Sequence, residues 1–125
     1  MDLKDKVALV TGGSAGIGLA VARTLVASGC RVALVARTRH NLERAVAELG
    51  NQRAVAFAVD VTDRAAVAAL PGQVAQQLGG LDILINNAGY NCRGAVQDRT
   101  AAELVQILET NLTAPVMLTR LALDQ

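Results

Sequence analysis

Two kinds of apolar spacing alternate along the chain. Residues 7–10 (Val-Ala-Leu-Val) are apolar at every position, as in a strand covered on both faces. From Ile17 the apolar residues take helical spacing, with Ile17, Val21 and Leu25 in line and Ala20 and Ala22 alongside, which predicts a helix stopped at Gly29. Arg31–Ala36 repeats the buried-strand pattern. Leu42, Ala45, Val46 and Leu49 fall at i, i+3, i+4 and i+7, one face of a second helix that Gly50 closes. Residues 54–59 form a third strand running into Asp60, and Thr62 or Asp63 is placed to cap the helix after it. That helix lines up Val67, Leu70, Val74 and Leu78. Their phase survives Pro71-Gly72, which predicts one kinked helix and not two pieces. Residues 81–86 form a fourth strand. After a loop through Arg99, Thr100-Ala101-Ala102-Glu103 makes a capping box ahead of Leu104, Ile107 and Leu108, and Pro115 is expected to bend this last helix.

Strict alternation of strand and helix with short connections predicts a single α/β domain over residues 1–125, with a parallel sheet and helices on both faces. With 52% hydrophobic residues but only Phe57 and Tyr90 aromatic, its core must be built from Ala, Val, Leu and Ile. A net charge of +1 with acids and bases interspersed gives no footing for nucleic acid or an anionic membrane. Cys30 and Cys92 lack metal-ligand spacing, so no metal is expected, and they read as free thiols. No apolar run approaches the ~18 residues of a membrane span, and no export signal is evident, so the expected location is cytoplasmic.

Candidate chemistry concentrates where the first strand hands over to its helix, at Thr11-Gly12-Gly13-Ser14-Ala15-Gly16-Ile17-Gly18. Glycines there allow a tight turn and close approach of a bound group. The free N–H groups of the new helix, at Ser14, Ala15, Gly16 and Ile17, favour a phosphate.

Further motifs follow in order: Asp60-Val61, Asn86-Asn87-Ala88-Gly89, and Asn111 within Glu109-Thr110-Asn111-Leu112. Together with Thr11-Gly12-x-x-x-Gly16-x-Gly18 they make the chain resemble the short-chain dehydrogenase/reductase family along its whole length. The resemblance implies a Rossmann-like, doubly wound parallel sheet in the order 3-2-1-4, cut short before a fifth strand. It also implies a dinucleotide cofactor, with Gly12 to Gly18 at its diphosphate. Asp60 would then accept from the adenine amino group beside Val61, and Asn86, Ala88 and Gly89 would lie along the ribose and nicotinamide. Asn86 and Asn87 also read as ties within the sheet. Where an NAD-binding fold places an acid after its second strand, this chain has Ala36-Arg37. Arginine pairs with a 2′-phosphate that an acid would repel, so NADP (NADPH) is favoured over NAD.

Of the family's acid–base set only the asparagine is present, as Asn111. Tyr90, the sole tyrosine, has Gly94 four residues on where the family has lysine, and no serine lies outside the glycine turn except Ser28 at a helix end. The chain is therefore expected to bind the cofactor without turning over a carbonyl or alcohol substrate unless a C-terminal half is supplied. It is also expected to form a homo-oligomer through the exposed fourth strand or the last helix. The alternative is a natural short nucleotide-binding or assembly module without redox activity. A methyl-transfer Rossmann protein would leave Asp60, the Asn-Asn-Ala-Gly stretch and Asn111 unexplained.

Overall fold

The computed structural model describes residues 1–125. Four parallel strands, β1 (Val7–Thr11), β2 (Arg31–Ala36), β3 (Ala54–Ala58) and β4 (Ile83–Ile85), form one sheet in the order β3-β2-β1-β4. Helices α1 (Gly16–Ala27), α2 (Arg39–Leu49) and α3 (Arg64–Leu78) connect them, and α4 (Ala101–Leu108) and α5 (Ala114–Ala122) follow β4. The register aligns Leu9 with Ala33 and with Leu84, so the sheet stays in step across its centre.

Alternate residues of β1 and β2 feed two separate cores. Val7, Leu9, Ala33 and Val35 pack against Val67, Leu70, Val74 and Leu78 of α3 and Leu118 of α5. Ala8, Val10, Val32 and Leu34 pack against Ala22 of α1 and Leu42 and Ala45 of α2. Burial on both faces is why these strands read as unbroken apolar runs. At the foot of the sheet the Asp82 carboxylate accepts from Val7 N at 2.9 Å and Lys6 Nζ at 3.4 Å. The backbone hydrogen bond from Val7, above all, holds the Asp82 pKa below the ordinary carboxylate value.

Three expectations are corrected in detail. The inward face of α1 is Gly18 and Ala22, whereas Ile17 is 77% exposed and Val21 stands outside the core. Small residues face the sheet because the helix start lies close against the glycine turn, and only Leu25 of the expected line packs on the core. The fourth strand is three residues long, since only Ile83–Ile85 find partners on β1. The last helix does not simply bend at Pro115: a π turn, Glu109–Thr113, separates α4 from α5. Ala114 N donates to Glu109 O five residues back, just ahead of a proline that has no N–H for the carbonyl of Asn111. By contrast α3 runs as one helix through Pro71, capped by Asp63, whose side chain accepts from Ala66 N at 3.1 Å. The Thr100–Glu103 capping box forms with both of its hydrogen bonds.

Candidate functional site

The glycine turn leaves β1 at Gly12, which takes φ +63°, and Gly16 takes φ +55°, both in the left-handed region that favours glycine. A Cβ on Gly12 would lie 2.9 Å from Asn87 Nδ2 and 3.1 Å from Ala88 Cα; one on Gly18 would run into the Gly12 carbonyl oxygen. These two glycines let β1, α1 and the end of β4 touch. Gly16 differs, because nothing lies within 4 Å of its missing Cβ. The N-cap of α1, Ala15, offers no side-chain hydrogen bond, and the first turn carries no acid. Its leading N–H groups therefore have no partner in the protein and open outward, as an anion site requires.

Thr11, whose role spacing alone does not reveal, is the knot behind this turn. Its hydroxyl, 2% exposed as a residue, accepts from Asn87 N and Ala88 N, each at 3.0 Å, and donates to Ile85 O at 3.4 Å. Asn87 Nδ2 donates to Gly12 O at 3.2 Å. Asn87 thus ties the end of β4 to the turn after β1, whereas the expected sheet tie at Asn86 is instead a bond to a helix: its Nδ2 donates to Thr119 Oγ1 on α5 at 3.2 Å.

Between the ends of β1, β2 and β3 on one side and α4 with the π turn on the other lies a cleft of about 200 Å³. Gly12, Arg37, Asp60, Val61, Ala88 and Gly89 all line it, so six of the expected binding residues meet in one place. Asp60 Oδ1 accepts from Thr62 N at 2.9 Å and Thr62 Oγ1 at 2.8 Å. The backbone hydrogen bond from Thr62, more than the nearby Arg37, lowers the Asp60 pKa, and the carboxylate is ionised at neutral pH. Arg37 itself is exposed and holds no carboxylate or hydrogen-bond partner. Ser14, Ala15 and Gly16 line a second cleft on the other side of the turn, while Ile17 faces outward with Ala20 and Val21. Gln106 and Thr110 complete the wall of the first cleft and were not anticipated. No sequence signal singled them out, since Glu103, Glu109, Asn111 and Thr113 are polar positions in the same stretch.

A sequence model described as short chain dehydrogenase matches residues 6–125. The chain belongs to the short-chain dehydrogenase family. Among solved structures of that family, a short chain dehydrogenase from Burkholderia cenocepacia in complex with NADP superposes with a TM-score of 0.94 at 37% identity, covering 100% of this chain and 52% of that one. L-sorbose reductase from Gluconobacter frateurii, complexed with NADPH and L-sorbose, gives a TM-score of 0.91 at 34% identity over 99% of this chain and 49% of that one. Among curated relatives, 2-(S)-hydroxypropyl-CoM dehydrogenase 3 of Xanthobacter autotrophicus is 39% identical over 97% of this chain and 48% of its own length. Fatty acyl-CoA reductase of Acinetobacter baylyi is 43% identical over 78% of this chain and 34% of its own. The chain spans about half or less of the length of these relatives.

Against the family's chemistry, the two polar residues near the cleft mouth are both committed elsewhere. Asn111 sits in the π turn and clamps the backbone of one residue on both sides: its Oδ1 accepts from Tyr90 N at 2.9 Å and its Nδ2 donates to Tyr90 O at 2.6 Å. Both of its amide atoms fix the segment that follows Gly89. The Tyr90 hydroxyl meets the Cys92 thiol at 3.2 Å. That contact, with partial burial, pushes the phenol above its ordinary value. An acid–base tyrosine needs its pKa brought down toward neutrality, so Tyr90 is displaced in the wrong direction. Cys30 is buried, and desolvation raises its pKa, which leaves an unreactive thiol. No group of three His, Cys, Asp or Glu side chains converges as metal ligands would, and no helix is long and apolar enough to cross a membrane.

Proposed function

We propose that this chain is the NADP(H)-binding portion of a short-chain oxidoreductase that moves hydride between the nicotinamide and a carbonyl or alcohol substrate. The observation that carries the reading is the uncapped start of α1, opening beside a cleft that holds the unpaired Arg37. An anion fits there because the leading N–H groups have no protein acceptor and the space at Gly16 is free. NADP and NADPH complexes among the structural relatives support a nicotinamide dinucleotide as that anion.

In this reading the N–H groups from Ser14 to Ile17 hold the diphosphate. Asp60 accepts from the adenine amino group beside Val61, and Ala88 and Gly89 border the ribose and nicotinamide, with Asn86 securing their strand to α5. Asn111 is a positioning residue that fixes the Tyr90 backbone at the nicotinamide end. The bound nicotinamide supplies or accepts the hydride. The residues present bind and orient it but include no suitable proton donor, so the chain alone turns nothing over. The free thiols at Cys30 and Cys92 suit a reducing cytoplasm.

Calorimetric titration tests this directly. The wild-type chain is expected to bind NADPH about ten-fold or more tightly than NADH, as a charge-assisted arginine–phosphate fork predicts. Arg37→Asp is expected to reverse the order. A redox assay of the wild-type chain with carbonyl substrates should read zero. Equal affinity of the wild-type chain for the two cofactors would remove Arg37 from the argument, and measurable turnover would show that a proton donor is present.

The same reading includes self-association. The outer edge of β4 pairs with nothing, and Val105 and Leu108 of α4, Leu112 of the π turn and Val116 of α5 are each 54–60% exposed. An open strand edge and an exposed apolar stripe both favour a second copy. Sedimentation should find a dimer or larger species at micromolar concentration; a monomer there would count against it.

A further inference from the structure

The second cleft, of about 430 Å³ between the start of α1 and the face of α2, holds polar groups that the protein leaves unused. Ser14, Asn41, Arg44 and Glu48 line it. The Glu48 carboxylate is taken by Arg23 of α1, which donates through Nε at 3.0 Å and also through a second guanidinium nitrogen. Arg44, one helical turn before Glu48, has neither an ion-pair nor a hydrogen-bond partner. The Asn41 amide and the Ser14 hydroxyl are also without side-chain partners. Thr38, the N-cap of α2, makes no side-chain cap hydrogen bond either. The cleft therefore gathers donors and one uncompensated cation, and its only carboxylate is already neutralised.

Its position matters as much as its composition. With adenine at Asp60 and Val61 and the diphosphate at the start of α1, the ribose joining them must pass beside Ser14 and the start of α2. Arg37 lines the cleft on the adenine side and Arg44 the cleft on the far side. We propose that Arg44 is a second specificity-determining ligand of the 2′-phosphate, closing on it from α2 with Ser14 and Asn41 while Arg37 closes from the end of β2. This rests on the dinucleotide reading above. It adds that discrimination between NADP and NAD is shared by two arginines seven positions apart.

The test compares two probes that differ by one phosphate, adenosine 2′,5′-bisphosphate and adenosine 5′-monophosphate, titrated into the full 125-residue chain. Arg44→Gln is expected to weaken the bisphosphate on the order of ten-fold and to leave the monophosphate unchanged. Arg44→Lys keeps the charge without the planar fork and should fall between. Arg44 is solvent-exposed, so the fold should survive, and an unchanged melting temperature verifies this. Unchanged bisphosphate affinity in Arg44→Gln, or equal weakening of both probes, overturns the proposal. If Arg37→Asp abolishes the bisphosphate preference while Arg44→Gln preserves it, the dinucleotide reading stands and the role of Arg44 falls. A wild-type chain that binds neither probe overturns both.

Discussion

Gly18→Ala is expected to destabilise the chain by about 3 kcal/mol and to abolish nucleotide binding. In an ordinary helix this substitution gains about 1 kcal/mol, because alanine is the better helix former. Here the added Cβ would penetrate the Gly12 carbonyl oxygen and approach Asn87 Nδ2 to 2.5 Å. Neither can retreat: Gly12 is pinned in a left-handed turn, and Asn87 Nδ2 is donating to that same carbonyl. Relief requires α1 to lift from the sheet, which moves its leading N–H groups away from the turn. Urea unfolding and NADPH titration measure the two effects. Gly72→Ala is the control. Gly72 lies in α3 with nothing within 4 Å of its missing Cβ, so that variant should be neutral or slightly stabilised. Equal stability of the two variants would mean that the contact of α1 with the turn is less tight than described.

Thr11→Val is expected to cost about 2–3 kcal/mol, although valine matches threonine in shape. The hydroxyl it removes serves three backbone groups, Asn87 N, Ala88 N and Ile85 O, on a strand about 75 residues away in sequence. Their loss leaves two N–H groups without an acceptor in a partly buried place, each at a cost of roughly 1–3 kcal/mol that water can partly offset. Because β4 pairs through only three residues, its carboxyl end should loosen first. Faster amide exchange at Asn87 and Ala88 would report this. Thr11→Ser restores the hydroxyl and should recover most of the stability. If serine fails as badly as valine, the methyl group and not the hydroxyl is the important part of Thr11.

Of these two residues Gly18 was legible along the chain, and the role of Thr11 was not. Glycines at 12, 16 and 18 between an apolar run and a helical pattern locate the turn, and Asp60, Ala88 and Gly89 line the cleft beside Gly12 because each follows the end of a parallel strand. Other features were out of reach. The outward face of Ile17 is invisible in a helix whose apolar residues spread almost all round, and Asn87 as a tie cannot be told from Asn87 as a ligand by position. Gln106 and Thr110 enter the cleft from a helix whose approach to the sheet no local pattern specifies.

By itself the sequence determined the order of the four strands and the first three helices, the cap at Thr100, the cap of α3 as Thr62 or Asp63, and the place of the glycine turn, because periodicity, propensity and glycine conformation act within a few neighbouring residues. Only the tertiary structure decided which polar atoms are taken and which are free. Thr11, Asn87 and Asn111 are committed to distant backbone, while Arg37 and Arg44 are left open beside the turn. That division depends on packing between segments far apart in the chain, where a hydrogen bond formed with one partner leaves the same atom unavailable to a ligand.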